Sequence, residues 1–309
     1  MQMDGPTEPA SILAPAAVDD TAGVAVVVVT YNSAKVLPGL LDSIPDGLAG
    51  ISRHEIIIVD NDSHDTSVDI ALAHPTHPRV IRMGRNAGYA AGINAATAIV
   101  GSEVDVLILN PDVRLLPGSV RLLSKRLSDP TAGIVVPQIL HEDGTTALSL
   151  RREPSMKTAW SDALLGTTFA ARIGAGEIVD DPAIYDRGGV VEWATGAALL
   201  VGARARRVVG EWDESFFLYS EEVDYLERVR RSGLSVVYHP LAQVVHIGGE
   251  YHDNPFLSAL MTKNRIRYYR RHHGRLSTAL FRLSIVVGET MRFTFGPGHR
   301  AALRAALTL

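Results

Sequence analysis

Stretches of β-branched residues alternate with helix-forming stretches over the first 110 positions, and this alternation constrains the fold most strongly. Three continuous apolar runs stand out, VAVVVVT at Val24–Thr30, EIIIVD at 55–60 and VDVLIL at 104–109. Runs of this kind are typical of strands that are buried on both faces of a sheet. Between them, apolar residues recur at helical spacing over residues 33–43, 65–73 and 88–100. This order predicts an α/β fold with a mostly parallel central sheet, flanked by helices and joined by right-handed crossovers.

The second half of the chain is predicted to be irregular at first and regular again towards residue 250. Residues 140–190, which mix Gly, Asp and Arg, predict loops and short elements over one end of the sheet. Further strands are expected at Arg79–Arg82, 134–136, 191–201, 234–238 and 243–247, and further helices at Ala203–Val209 and Glu221–Arg231. We therefore expect one large α/β domain over residues 23–250.

The composition excludes several classes of functional site. The chain has no cysteine, so it cannot form a thiolate zinc site, a thiol nucleophile or a disulfide framework. Residues 1–22 have neither the basic start nor the compact apolar run of a secretory signal, and a disordered lead-in is expected there. No stretch approaches the roughly 20 apolar residues of a membrane-spanning helix. These features together favour a cytoplasmic protein.

Residues 251–309 differ from the rest and are expected to form a basic, amphipathic, helical C-terminal region. From Asn254 onwards there are ten Lys or Arg and one acid, Glu289, although the whole chain has a net charge of −4. Three interpretations are open: contact with an anionic membrane surface, nucleic-acid binding, and a solvated helix or oligomer contact. An acidic body with a basic tail favours the membrane surface, and no nucleic-acid partner is expected.

Polar turns that carry carboxylates follow three of the predicted strands. Thr30, Tyr31 and Asn32 follow the first strand, residues 60–65 (DNDSHD) follow the second, and residues 110–112 (NPD) follow the fourth. In open α/β sheets ligands bind beyond the carboxyl ends of the strands, so these turns are expected to border one crevice. Each turn alone also fits an ordinary strand end or helix N-cap, and only their joint placement favours a binding site.

The residues after the first strand distinguish between kinds of nucleotide site. A dinucleotide-binding fold would place G-x-G-x-x-G there, and a P-loop would end in Lys followed by Ser or Thr. The sequence has Thr30, Tyr31 and Asn32 instead, and it has no P-loop elsewhere. A dehydrogenase or a P-loop kinase is therefore not expected.

Six segments of the chain resemble the family 2 glycosyltransferases of the GT-A fold, in the order that this family has them. The shorter ones are VVVVTYN (26–32), IIIVDNDSHD (56–65), RNAGYAAGIN (85–94), LILNPDV (107–113) and WATGAALLVGAR (193–204). The sixth and most specific covers residues 210–249, where acids, a helix, a strand and a histidine occur together. The resemblance is strongest to a bacterial rhamnosyltransferase-like group, and it makes residues 23–250 a GT-A catalytic domain.

The resemblance implies an inverting glycosyltransferase that moves a sugar from a nucleoside-diphosphate donor to an acceptor hydroxyl. The subgroup suggests L-rhamnose from dTDP-rhamnose as the donor, and a glycan or lipid-linked acceptor in cell-wall, surface-glycan or glycolipid assembly. The basic C-terminal region would then lie peripherally on the inner face of the plasma membrane. Two alternatives stay open, a sugar-phosphate nucleotidyltransferase and a catalytically inactive carbohydrate-binding or scaffold protein.

The resemblance also implies which residues contact the nucleotide-sugar donor. They are Thr30, Tyr31, Asn32, Asp60, Asp62, Ser63, Asp65, Asn86, Gly88, Tyr89, Asn94 and Asn110. Asp60 would hydrogen-bond the edge of the base, and Gly88 would let the backbone approach the donor closely. Packing of a helix on the sheet is the alternative explanation for the Gly- and Ala-rich segment 88–94.

A divalent cation, Mn²⁺ or Mg²⁺, is the implied cofactor, with Asp112 and His246 as its ligands. In the resembling family the fourth strand ends in an Asp-x-Asp pattern, and here Asn110 replaces the first acid. An amide oxygen still suits a hard cation, but one negative charge is lost. A single histidine on an apolar strand is more often structural, and the family pattern is what favours His246 as a ligand.

The acidic start of the helix at Glu221–Arg231 contains the implied general base. The resemblance places the base at Glu222, where the family usually has Asp, with Glu221 as the reserve. Helical spacing predicts that Glu221 and Asp224 share one face and that Glu222 lies on another. Trp193, Thr195, Gly196 and Asp224 are expected on the acceptor or donor-sugar side.

Overall fold

The computed structural model describes residues 23–248 and 254–308. The predicted lead-in at residues 1–22 and the expected junction at residues 250–251 lie outside these ranges. The strands are β1 Val24–Thr30, β2 His54–Asp60, β3 Arg79–Arg82, β4 Asp105–Leu109, β5 Val113–Leu115, β6 Ala132–Leu140, β7 Leu150–Arg151, β8 Gly189–Val191, β9 Trp193–Ala194, β10 Ala198–Val201 and β11 Ser235–His246. The helices are α1 Leu37–Gly47, α2 Ser67–Ala73, α3 Tyr89–Thr97, α4 Ser119–Leu127, α5 Met156–Leu165, α6 Thr167–Arg172, α7 Pro182–Arg187, α8 Ala203–Val209, α9 Glu221–Arg231, α10 Pro255–His272, α11 Arg275–Met291 and α12 Pro297–Thr308.

A nine-stranded sheet forms the centre of the described residues, in the order β3-β2-β1-β4-β10-β6-β11-β5, with β8 also paired to β11. β1 pairs in parallel with β2 and β4, β2 with β3, and β11 with β6. β10 runs antiparallel to β4 and β6 because it enters the sheet from the opposite end. The predicted α/β fold with flanking helices is confirmed. The sheet is mixed, and its parallel pairings are concentrated among β1 to β4.

Both faces of the sheet are covered, which explains the continuous apolar runs of the sequence. All seven residues of β1 are buried. Ala25, Val27 and Val29 belong to one hydrophobic cluster, while Val24, Val26 and Val28 belong to a second one on the opposite face. Successive side chains of a strand point to opposite faces, so an apolar residue is needed at every position.

The two closing strands that the sequence predicts at 234–238 and 243–247 form one long strand, β11. Its register against β6 shifts between His239 and Gln243. Pro240 lies in this interval, and a proline cannot donate a hydrogen bond to the ladder. The interruption in the sequence pattern is therefore a bulge inside a strand rather than a loop between two strands.

The C-terminal region is helical, as predicted, and it packs against the domain. It consists of the three helices α10, α11 and α12. α10 packs on α12, which the sequence pattern did not predict, and α11 packs on α5. Among the described residues no helix is long and apolar enough to cross a membrane.

Candidate active site

The pairing of β5 with β11 brings the two predicted metal ligands together. His246 pairs with Val113 across this antiparallel ladder, and the Ile247 N–H donates to the Asp112 carbonyl over 3.1 Å. As a result, the Nε2 atom of His246 lies 3.1 Å from Oδ1 of Asp112. Both side chains are partly exposed towards a cavity. The Asp112–His246 pair is thus held by backbone register.

Asn110 is oriented by two contacts at the end of β4. Its backbone N–H donates to the Ala197 carbonyl over 2.9 Å, and its Oδ1 accepts a hydrogen bond from the Tyr89 hydroxyl over 3.0 Å. Burial, followed by the nearby Glu221, Glu222 and Asp112, raises the pKa of Tyr89. The hydroxyl therefore stays protonated and remains a donor to Asn110.

A strained turn leads into α9 and sets the position of its first two carboxylates. Phe217, Tyr219 and Ser220 all have positive φ, at 59°, 70° and 72°. Non-glycine residues adopt this region at a cost, and such strain is concentrated at functional sites. Glu221 and Glu222 follow at once in the first turn of α9, where the helix dipole favours carboxylates.

The two carboxylates differ in their electrostatic surroundings. In each, the Oε2 atom is buried and has no hydrogen-bond partner among the described residues. Burial and the charge of Glu222 raise the pKa of Glu221 well above its ordinary value. Burial also raises the pKa of Glu222, but nearby backbone N–H groups and Arg151 oppose this shift. Arg151 is thus a cationic group that favours the ionised form of Glu222.

These groups border one cavity of about 570 Å³. Nine residues that the sequence singled out line it, namely Tyr89, Asn110, Asp112, Trp193, Thr195, Gly196, Glu221, Glu222 and His246. A cavity with several convergent polar groups is the usual form of a small-molecule site. The acids, the amide and the histidine thus converge from β4, α9 and β11.

Asp224 is turned away from this cavity, and the expected pairing of faces on α9 is wrong. Its carboxylate accepts a hydrogen bond from Nε of Arg228 over 2.8 Å and lies 3.6 Å from a guanidinium nitrogen of Arg271. Glu221 and Glu222 line the cavity together, whereas Asp224 does not. Asp224 instead joins α9 to α10.

Trp193 and Gly196 form another part of the cavity wall. The Trp193 indole N–H donates to the Arg152 carbonyl over 2.8 Å, and the Thr195 N–H donates to the Ser149 carbonyl over 3.0 Å. A Cβ atom added at Gly196 would lie 3.6 Å from Cβ of Glu222. A methyl group at this position would therefore make ordinary van der Waals contact with the candidate base.

The residues after β1 and β2 that are predicted to bind the nucleobase form a hydrogen-bonded mesh beside the cavity. The Asp60 carboxylate is buried and accepts from the Thr30 hydroxyl over 3.1 Å and from the Ser63 N–H over 3.0 Å. The Asn32 N–H donates to the Ser63 hydroxyl over 2.9 Å. Asp65 accepts from the Ala34 N–H over 3.0 Å. The mesh joins the two loops, as expected for neighbouring strand ends.

The other members of this group surround the mesh. Asn32 and Asp62 have positive φ, at 51° and 68°, and Tyr31 is 48% exposed. None of the seven predicted residues in these two loops lines the 570 Å³ cavity. They are Thr30, Tyr31, Asn32, Asp60, Asp62, Ser63 and Asp65. Convergence of Asp60 with Asp112 in one pocket is therefore not observed, and the strand ends form two adjacent regions.

Gly88 connects these two regions. The Asn61 side chain donates to the Gly88 carbonyl over 2.9 Å, and Asn86 accepts from the Gly88 N–H over 3.2 Å. Gly88 has a φ of 95°, and a Cβ atom there would lie 2.4 Å from the carbonyl oxygen of Phe217. The turn before α9 can approach α3 this closely because Gly88 has no side chain.

Asn94 lies outside the cavity. Its side-chain amide donates to the Trp212 carbonyl over 2.9 Å and to Glu214 over 3.0 Å, and its Oδ1 accepts from the Trp212 N–H over 2.9 Å. All of these bonds lead away from the strand ends. The side chain joins α3 to the segment before α9, which is a structural role.

The helix α10 supplies part of the cavity wall, which sequence reasoning missed. Met261, Arg265 and Tyr268 of α10 line the cavity, together with Arg151 and Glu177 from the irregular middle region. Arg265 forms a 2.5 Å ion pair with Glu177. The only signal in the sequence was the density of Arg and Tyr in the tail, because these contacts join segments far apart in the chain.

Several cations of the basic region pair with the acidic domain. Arg271 forms an ion pair with Asp213, and Nε2 of His272 lies 3.2 Å from Glu227. The Arg267 guanidinium donates to the Ser215 carbonyl. The attraction that the charge asymmetry predicts is thus partly satisfied within the molecule.

The Asp112–His246 pair fits the protein side of a small octahedral cation site. Neighbouring ligands of such a cation are about 3 Å apart, close to the 3.1 Å between the two donor atoms. No group of three or more His, Asp or Glu suited to a metal occurs among the described residues. Mg²⁺ is often held by one or two carboxylates plus substrate phosphates, so a site completed by substrate agrees with this donor set.

Comparison with known proteins agrees with this architecture. The sequence model of the family described as glycosyl transferase family 2 matches residues 25–187, more than half of the chain. An N-acetylglucosaminyl-diphospho-decaprenol L-rhamnosyltransferase of Mycobacterium tuberculosis is 33% identical over 239 residues, 72% of this chain and 75% of that relative. The low-salt glycan biosynthesis hexosyltransferase Agl10 of Haloferax volcanii is 24% identical over 224 residues, 72% of this chain and 66% of the relative.

Solved structures show the same fold. The mannosyltransferase PcManGT from Pyrobaculum calidifontis, in complex with GDP-Man and Mn²⁺, is 17% identical with a TM-score of 0.58, covering 94% of this chain and 77% of that chain. GalNAc-T7, with UDP, GalNAc and Mn²⁺, is 15% identical with a TM-score of 0.58, covering 81% and 48%. At these identities the likeness establishes the GT-A fold alone. From the family match and the relative at 33% identity, the chain belongs to glycosyl transferase family 2.

Proposed function

We propose that this glycosyltransferase inverts the anomeric centre of a nucleoside-diphosphate sugar while transferring the sugar to a hydroxyl of a lipid-linked glycan. The observation that carries the proposal is the convergence of Glu222, Asn110 and the Asp112–His246 pair on one cavity. This arrangement provides a base for the acceptor hydroxyl and oxygen and nitrogen ligands for a cation beside the donor phosphates. It contains no group that must bond covalently to the sugar.

The nature of the substrates is proposed from the mycobacterial relative. That relative is named as an L-rhamnosyltransferase acting on N-acetylglucosaminyl-diphospho-decaprenol. We take L-rhamnose from dTDP-rhamnose as the donor sugar and a polyprenyl-diphosphate-linked sugar as the acceptor. A product of this kind would enter cell-wall or surface-glycan assembly, and the enzyme would act at the membrane surface that holds its acceptor.

The proposed base is Glu222, with Glu221 as its neighbour. A base must be ionised to accept a proton, and nearby backbone N–H groups and Arg151 stabilise the charge of Glu222. Glu222 takes the proton of the acceptor hydroxyl as that oxygen attacks the anomeric carbon from the face opposite the leaving diphosphate. Tyr89 holds Asn110 at the donor side, and Trp193 and Gly196 close the acceptor side.

The proposed cofactor is Mn²⁺ or Mg²⁺, held by Asp112 and His246. When bound, the cation neutralises the negative charge that develops on the leaving diphosphate. The two solved GT-A structures described above contain Mn²⁺. The protein's own contribution is to keep two donor atoms at fixed positions on the cavity wall.

A transfer assay with dTDP-L-rhamnose, a polyprenyl-diphosphate-linked N-acetylglucosamine and Mn²⁺ tests the proposal directly. Release of dTDP and an inverted glycosidic product are expected with the native protein. Asp112→Ala should reduce turnover at least about a hundredfold, because loss of a key electrostatic group typically costs that much. The exposed Asp186→Ala serves as the control and should keep full activity. A product with retained configuration, or full activity in Asp112→Ala, would contradict the proposal.

A further inference from the structure

The helix α11 carries a row of exposed large apolar residues along one side. Leu276, Leu280, Leu283 and Met291 are 76%, 42%, 46% and 57% exposed, and Val287 lies between them. We call these five residues the outer apolar stripe. The buried residues of the helix are Thr278, Phe281, Ser284 and Gly288. Phe281 and Ile285 face inwards as in an ordinary surface helix, so the exposed row is a second apolar face where polar residues are the rule.

The outer apolar stripe occupies one face of the helix. Its members are separated by four, three, four and four residues, which is the spacing of side chains that align along an α-helix. Burial of this face would remove a continuous row of leucine, valine and methionine side chains from water. The stripe therefore has the properties of a contact surface rather than of scattered exposed apolar residues.

A second exposed apolar group borders the C-terminal end of the stripe. Gly288 packs so closely on Ala163 of α5 that an added Cβ would lie 3.1 Å from the Ala163 backbone. The Arg292 guanidinium donates to the Asp162 carbonyl over 2.8 Å. The exposed apolar residues that follow in α5, in α6 and just beyond it are Leu164, Leu165, Phe169 and Ile173.

The charge around the stripe is positive. Residues 275–308 contain Arg275, Arg282, Arg292, Arg300 and Arg304 and a single acid, Glu289. That acid lies 2.8 Å from Nδ1 of His299, so its carboxylate is hydrogen-bonded within the chain. An apolar helix face flanked by arginines and lacking free acids is complementary to an anionic lipid surface.

The stripe also lies close to the cavity. The Arg265 guanidinium, which lines the cavity, lies 5.7 Å from the ring of Phe281 on the inner face of α11. Phe281 stacks on Tyr269 of α10 with ring centroids 3.8 Å apart. Only the thickness of one helix, about 10 Å, therefore separates the stripe from the residues of the cavity wall.

We propose that the outer apolar stripe of α11 docks this enzyme onto an anionic membrane, with the helix lying along the lipid headgroups. The proposal rests on the proposed function, because a polyprenyl-linked acceptor is held in that membrane. It assigns the lipid contact to the leucines of α11 rather than to the basic residues of α10. Arg265, Arg267 and Arg271 of α10 already pair with the domain.

Flotation with phosphatidylglycerol-containing vesicles tests the surface. The native protein is expected to float with these vesicles. In the triple variant Leu276→Gln, Leu280→Gln, Leu283→Gln, the floated fraction should fall about tenfold or more, because three apolar anchors are lost. The matched control replaces three exposed apolar residues elsewhere, Leu72, Val208 and Leu241, with Gln and should float like the native protein. If the triple variant fails to fold, the single change Leu276→Glu replaces it.

Transfer assays separate the docking surface from the active site. With a short-chain, water-soluble acceptor the triple variant should equal the native enzyme, whereas with acceptor embedded in vesicles it should lose activity about in proportion to its lost binding. Unchanged flotation of the triple variant would overturn the docking proposal. A native dimer that the variant converts to monomers, with no vesicle binding by either, would also overturn it. Normal docking without transfer to either acceptor would instead refute the proposed function alone.

Discussion

Glu221 and Glu222 are adjacent in sequence, but their surroundings give them different chemistry. Both are buried at the cavity, and their mutual repulsion disfavours two charges at once. Backbone N–H groups favour the charge on both carboxylates, and Arg151 is an additional favourable charge for Glu222. A neutral Glu221 can donate a hydrogen bond, while an ionised Glu222 can accept the proton of the substrate.

At the scale of this residue, Glu222→Gln should lower kcat by about a hundredfold to ten-thousandfold, since the amide cannot accept the proton. Donor affinity, measured by titration with dTDP, should change little because the donor region is formed by other residues. Lys263→Ala, an exposed change on α10, should leave both values unchanged. Near-native turnover in Glu222→Gln would assign the base to another group.

The pH dependence of the native enzyme follows from the same carboxylate. The base acts only when ionised, and burial raises its pKa above the ordinary value of 4.5. Activity should therefore be lost as the pH falls through a value above 4.5, and the acid limb of kcat/KM reports it. In Glu222→Gln this limb should disappear from the residual activity.

Gly88 provides a second test at the residue scale. Gly88→Ala would place a Cβ atom 2.4 Å from the Phe217 carbonyl at a φ of 95°. We expect a loss of roughly 2–4 kcal/mol in unfolding free energy and a displaced turn before α9. Gly84→Ala, with a φ of 67° and nothing within 4 Å, is the matched control and should cost only about 1–2 kcal/mol. Equal losses in urea unfolding would show that the Phe217 contact is unimportant.

At the scale of elements, α10 supports the strained turn from behind. The side-chain amide of Asn264 is 2% exposed and donates to the carbonyls of Phe216 and Leu218, the latter over 2.8 Å. These two bonds hold the backbone that precedes Glu221. The C-terminal helix thus contributes to the geometry of the carboxylates although it is remote from them in sequence.

Asn264→Ala tests this support. Two carbonyls would each lose a hydrogen bond, although that of Phe216 keeps the Leu218 N–H, and such a loss typically costs about 1–3 kcal/mol. We expect faster hydrogen exchange at residues 216–220 and a lower kcat with little change in the donor KM. Lys263→Ala should alter neither measurement. A uniform loss of stability without faster exchange in this turn would argue against a local role.

The strands that could be predicted from the sequence are those that are buried on both faces. β1, β2 and β4 were recognised because both of their faces are covered, which forces a continuous apolar run. The single stretch predicted at 191–201 is three short strands, β8, β9 and β10, in two sheets, because two or three residues carry too little periodicity. The predicted direction of the Asp224 side chain was wrong, because helical spacing alone does not determine which side chains of the first turn face the cavity.

At the scale of the whole molecule, the site combines segments that are far apart in the chain, from Tyr89 to Tyr268. The positions of the candidate metal ligands, the acids and Gly196 at the cavity could be predicted, since the family pattern and the sheet topology both indicate them. Arg151, Glu177, Arg265 and Tyr268 could not, because nothing local in the sequence tells which distant surface a basic helix will cover. The metal assignment of Asp112 and His246 and the role of Glu222 stay predictions until the assays described above.

The pairing of Val113 with His246 has a thermodynamic consequence. Asp112 and His246 are 134 residues apart, and their donor atoms meet only after β11 has joined β5. The unfolded chain has no such chelate, so a cation held by this pair would favour the native state by mass action. At a hundredfold excess over Kd the gain is about 2.7 kcal/mol. Mn²⁺ should thus raise the Tm of the native protein but not that of Asp112→Ala, and equal shifts would place the cation elsewhere. Calorimetry can therefore measure the contribution of the cation to the stability of the native state, without any sugar present.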